Sequence, residues 1–184
     1  MQNNTPLPPQ TDTNITKHTR LPKNKKVAKI YLSVLSVLSK LLKELPSSIL
    51  PEICLVGSVN LYLQGVSIEP KKDLDIGTNY KNIILLSKIF EDITVRLCLN
   101  KRGNDYLPFA HLFIKYDGFE IEFFDTKDYG GSYYLKTIKK ENMQELKIGK
   151  LVIPALSLEK ELEVYKKTDK LDKVEILKQH LQKV

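Results

Sequence analysis

Between Lys26 and Leu45 the apolar residues Ile30, Val34, Leu38, Leu41 and Leu45 recur at helical spacing. The pattern predicts one amphipathic helix of about five turns, stopped by Pro46. A helix with one greasy face must be covered, and the chain beyond it offers only short units. Glu52–Val56 reads as a short buried strand, and Val59–Gln64 as a helix stopped by Gly65. Asp73–Ile76 alternates as a strand with one wet face. Tyr80–Phe90 reads as a helix and Thr94–Leu99 as a strand. Arg102-Gly103-Asn104-Asp105 reads as a turn. Phe109–Tyr116 and Phe119–Phe124 are two strands joined by the hairpin signal Asp117-Gly118. Leu146–Ile153 reads as a short hairpin around Gly149. Ser157–Tyr165 and Asp172–Leu181 close the chain as helices, with Ser157 as N-cap. The economical assembly is α+β: one mixed or antiparallel sheet with flanking helices and a C-terminal helical segment.

Length and charge set the remaining bounds. A chain of 184 residues with 42% apolar content suits one domain with a real core. Residues 1–24 lack a hydrophobic period and are expected to form a disordered basic arm, leaving 25–184 as the single domain. The net charge of +7 favours polyanionic partners such as nucleotides or nucleic acid. Cys54 and Cys98 sit in apolar runs without metal-ligand spacing and are expected as free thiols. No segment approaches the roughly 20 apolar residues of a membrane span, and the N-terminus lacks a signal-peptide core. The expectation is a cytoplasmic protein with no membrane partner.

The chemistry concentrates in Leu55-Val56-Gly57-Ser58-Val59-Asn60, followed by Lys71-Lys72-Asp73-Leu74-Asp75-Ile76. A strand ends in Gly-Ser and turns into a helix. Gly57 permits close backbone approach, and the helix start presents N–H groups to an anion such as a triphosphate. Ser58 adds a hydroxyl. Asp73 and Asp75, two apart on a strand, share a face while Leu74 and Ile76 point inward. Two carboxylates side by side require a compensating proton or cation, and magnesium is the natural oxygen-bound one. Lys71 and Lys72 are an alternative source of relief. Phe119-Glu120-Ile121-Glu122-Phe123 repeats the alternation, with Glu120 and Glu122 on one face.

In this order the motifs resemble the DNA polymerase beta-type nucleotidyltransferase superfamily, most nearly its minimal and abortive-infection-type members. The resemblance spans roughly residues 50–125, and the helical tail from Ile153 is similar to the end of those proteins. It implies that Asp73 and Asp75 hold two magnesium ions. Glu120 and Glu122 compete as the third acid; the family's spacing from the hairpin glycine, here Gly118, favours Glu122, which the resemblance implies completes the metal site and helps deprotonate the acceptor hydroxyl. It implies transfer of a nucleoside monophosphate from an NTP such as ATP to RNA, protein or a small molecule. A toxin held by an antitoxin-like partner, or a non-catalytic nucleotide- or RNA-binding module, are the other roles open to such a chain.

Lys166, Lys167 and Lys170 are candidates to meet phosphates, although lysines on an exposed helix are more often simply solvated. Here Asp169-Lys170 reverses the family's Lys-Asp pair. His111, near a strand start, is expected to be structural rather than catalytic. Tyr129-Gly130-Gly131-Ser132-Tyr133-Tyr134 is an aromatic loop that suits either base stacking or a plain turn.

Overall fold

The computed structural model describes residues 25–69, 71–100, 109–126 and 140–183. The basic arm, the Arg102–Asp105 turn and the Tyr129–Tyr134 loop lie outside the described residues. Five helices are described: α1 (Lys25–Glu44), α2 (Gly57–Leu63), α3 (Tyr80–Ile89), α4 (Leu158–Lys167) and α5 (Leu171–Leu181). Seven strands form one mixed sheet: β1 (Cys54–Val56), β2 (Asp73–Thr78), β3 (Thr94–Asn100), β4 (Phe109–Tyr116), β5 (Phe119–Asp125), β6 (Met143–Ile148) and β7 (Leu151–Leu156). Their order is β3-β4-β5-β2-β1-β7-β6. The pairs β2–β5 and β1–β7 are parallel, and the other neighbours are antiparallel.

The apolar face of α1 covers one side of the sheet. Val34, Leu38 and Leu41 are fully buried in one cluster with Leu74, Ile76, Ile121 and Phe123. Burying a side chain of this size contributes about 1.5–3 kcal/mol. On the opposite side, Val164 of α4 packs with Val56, Phe124 and Leu156. Leu61 of α2 joins Tyr165, Val174 and Leu177 of the C-terminal helices. On this side Lys170 and Lys173 line one cavity with Asp75 of β2 and Glu122 of β5.

The elements near the site differ from the expected boundaries for local reasons. Leu50–Glu52, with Pro51 in its first turn, forms a 3-10 turn, so β1 begins only at Cys54. Helix α2 starts at Gly57 itself rather than at Val59. The expected Leu146–Ile153 hairpin extends to Met143 and Leu156, running through Pro154. The Asp117-Gly118 turn takes φ of +49° and +77°, the left-handed pair that a two-residue hairpin needs. It pairs Tyr116 with Phe119 and thereby sets the register of β4 on β5.

Candidate active site

Parallel pairing of β2 with β5 sets Asp73 beside Glu120 and Asp75 beside Glu122. On its other flank Asp75 pairs with Val56, the residue before Gly57. One row across three strands therefore runs from the strand–helix turn through Asp75 to Glu122. The two rungs differ in exposure: Glu120 is exposed, whereas Asp73, Asp75 and Glu122 are partly buried.

Gly57 has a specific reason to be glycine. Its φ is +76°, and a Cβ built there would lie 2.3 Å from Asp75 Oδ2. The space is needed by the Asp75 carboxylate, where sequence reasoning assigned it to an approaching phosphate. The expected anion site at the start of α2 also changes, because the Gly57 N–H donates to Glu161 Oε1 at 2.7 Å. A carboxylate from within the protein occupies that first amide. Ser58 is buried, 8% exposed.

Gly57, Asp75, Glu122, His111, Phe124, Lys170 and Lys173 line a cavity of about 230 Å³. Burial, followed by repulsion from Asp73 and Glu122, pushes the Asp75 carboxyl up to about 6, with Lys173 and Lys170 pulling the other way. Burial, then Lys170, lowers Lys173. Both lysine ammonium groups stand over the Tyr165 ring, Lys173 at 4.9 Å and Lys170 at 5.8 Å from its centroid. Asp169, at φ +56°, turns the chain between α4 and α5 and sets Lys170 at the start of α5. Lys166 is exposed on α4 and is not among the residues lining the cavity. A larger cleft of about 620 Å³ lies under α1, beside Lys29, Lys72 and Asp117. Asp117 is ion-paired to Lys40 there, and the acid row does not line that cleft.

No family model matches the chain, and no curated protein matches it. A solved structure of a candidate nucleotidyltransferase from Thermotoga maritima superposes on 85% of this chain and 95% of its own, with a TM-score of 0.58 and 23% identity. This chain has a nucleotidyltransferase-like fold. ANT(2")-Ia, seen in complex with adenylyl-2"-tobramycin, matches 83% of this chain and 90% of its own at a TM-score of 0.47 and 11% identity. A candidate nucleotidyltransferase from H. pylori matches 76% and 57% at 0.39 and 15%.

Within this nucleotidyltransferase-like fold, the donor set suits a hard divalent cation. Asp73 Oδ1 is buried without a hydrogen-bond partner. Asp75 carries a proton more tightly than usual because it is buried and, after that, because two carboxylates crowd it. Among the described residues no three acid, His or Cys side chains form a ready cage for one ion. Glu122 Oε1 is engaged by His111 Nδ1 at 2.6 Å. Asp73 and Asp75 would offer carboxylate oxygens to such a cation; Asp75 and Glu122 line the cavity, and Asp73 stands beside it on β2.

Sequence reasoning set aside or missed three residues. His111 lies in the cavity against Glu122. The hairpin turn contains the signal: counting back from Tyr116–Phe119 puts Phe113 opposite Glu122, and His111 one same-face step away. Lys173 is three residues from Lys170 and shares its helix face. Glu161 is fully buried on α4 and left only a faint sign, an acid at the buried spacing of Leu158, Val164 and Tyr165. Among the described residues no helix is long and apolar enough to cross a membrane.

Proposed function

We propose that this protein transfers a nucleoside monophosphate from an NTP to a hydroxyl acceptor. The observation that carries this reading is the convergence of Gly57, Asp75 and Glu122 with Lys170 and Lys173 on one cavity. Phosphoryl chemistry needs little covalent help from the protein; it needs charge cancellation and alignment. Asp73 and Asp75 would hold magnesium, which when bound neutralises phosphate charge and polarises the phosphoryl group.

The chain's own residues supply the rest. Lys170 and Lys173 face the acids across the cavity and bind phosphate oxygens as point charges. At about 230 Å³ the cavity takes the phosphate end of a nucleotide rather than the whole molecule. Glu122 accepts the proton of the acceptor hydroxyl at a carboxylate oxygen, while His111 Nδ1 holds the carboxylate in place. The acceptor oxygen attacks the α-phosphorus in line, a new O–P bond forms, and the bond to pyrophosphate breaks. The acceptor is RNA, protein or a small molecule.

The test is incubation with each α-labelled NTP, magnesium, and total RNA or protein, with Asp75→Asn as control. Label transfer by the parent alone supports the enzyme. Magnesium-dependent nucleotide binding without transfer to any acceptor would make the protein a binding module.

A further inference from the structure

Glu161 is fully buried on α4, yet belongs to none of the proposed chemistry. Its Oε1 accepts two hydrogen bonds: from the Gly57 N–H at 2.7 Å and from Asn60 Nδ2 at 2.9 Å. Its Oε2 is buried without a hydrogen-bond partner. Asn60 Nδ2 also donates to the Leu156 carbonyl, and Gln64 Nε2 donates to Asn60 Oδ1 and to the same carbonyl. Gln144 of β6 donates in turn to Gln64 Oε1. A buried polar chain thus runs from β6 through α2 to α4 and ends on the amide of Gly57.

Such an acid is a poor choice for stability. A buried carboxylate with one unpaired oxygen costs more than an apolar residue of the same volume would. What it provides is a fixed point. Gly57 is held on two sides: Glu161 grips its N–H, and its bare Cα faces Asp75 Oδ2. Without that grip the positive-φ turn has one fewer restraint, and the space reserved for the Asp75 carboxylate is no longer defined.

We infer that Glu161 is a positioning residue, accepting the Gly57 N–H so that the strand–helix turn stays clear of Asp75. It tethers the C-terminal helices, which also bring Lys170 and Lys173, to the acid row. The inference rests on the proposed nucleotide site for its consequence, but its geometry stands independently of it.

Two variants and one measurement on the parent test it. Glu161→Gln keeps an oxygen acceptor and should preserve slow Gly57 amide exchange and magnesium–ATP affinity. Glu161→Leu keeps the volume and removes the acceptor. It should exchange its Gly57 amide much faster and bind magnesium–ATP about tenfold more weakly, while its melting temperature balances the relief of a buried carboxylate against the Gly57 N–H left unpaired. A merely structural residue would move melting temperature and leave affinity alone. Retention of Gly57 protection and affinity in Glu161→Leu would overturn the inference, as would their loss in Glu161→Gln. Fast exchange of Gly57 in the parent would overturn it without any variant. If the parent binds no nucleotide, the proposed function fails, while Gly57 exchange in the variants still decides the role of Glu161.

Discussion

The two faces of the β2–β5 pair are made by the same dozen residues and do opposite things. On one face Leu74, Ile76, Ile121 and Phe123 are fully buried against α1 and α3. On the other, Asp73, Asp75, Glu120 and Glu122 stand in two rungs of like charge. The first face stabilises the fold by removing apolar surface from water. The second works against stability, since burial and neighbouring carboxylates push Asp75 up to about 6. Period-two geometry makes this division possible: each strand puts its stabilising residues on one side and its destabilising ones on the other. Stability and chemistry should therefore respond to different substitutions on one pair of strands.

The largest expected separation comes from the core face. Phe123→Ala should cost about 3–5 kcal/mol and lower the melting temperature by roughly 10 °C or more. Magnesium–ATP affinity of the folded fraction should stay near that of the parent. Calorimetry together with equilibrium binding checks this, and a parallel loss of affinity would break the division between faces.

A smaller effect of opposite sign is expected at Asp75. Its carboxyl holds a proton up to about pH 6 when folded, against an ordinary value near 4 when unfolded. Between those values the folded protein binds more protons than the unfolded one. Metal-free stability should therefore fall as pH rises from about 4 to 6 and remain lower above that, by on the order of 3 kcal/mol. Asp75→Asn should remove this part of the slope, so that the variant is more stable than the parent at neutral pH without magnesium. It should also lose transfer. Glu161, pushed by burial up to about 7, adds a slope of its own, and because Asp75 is one of the charges that raise it, Asp75→Asn should lessen that slope as well. Denaturant titrations across pH measure it, and identical curves would mean that Asp75 is not crowded.

The smallest effect separates the two rungs. Glu120 is exposed and Glu122 lines the cavity. Glu120→Ala should change stability by no more than about 0.5 kcal/mol and leave transfer intact. Glu122→Ala should leave stability similarly unmoved and reduce transfer about a hundredfold. The reverse outcome would put the outer rung, Asp73 with Glu120, at the chemical centre.

The long helix, the alternating strands β2 and β5, the Asp117-Gly118 hairpin and the inward-facing Leu74 and Ile76 were legible in the sequence, because each rests on local periodicity or turn chemistry. The strand–turn–helix around Gly57 and the shared face of Asp73 and Asp75 were legible for the same reason. The reason for Gly57 was not: the contact that excludes a Cβ comes from Asp75, eighteen positions further along the chain. His111 could be placed near Glu122 by counting back from the hairpin, whereas Lys173 became visible as a site residue only once α5 lay beside the acid row. Glu161 is the extreme case, more than a hundred positions from the glycine it holds. Sequence by itself determined which residues share a strand face or helix face, since that depends on backbone period alone. Tertiary structure decided which faces meet, because parallel pairing and helix packing bring together residues whose separation along the chain carries no periodic signal.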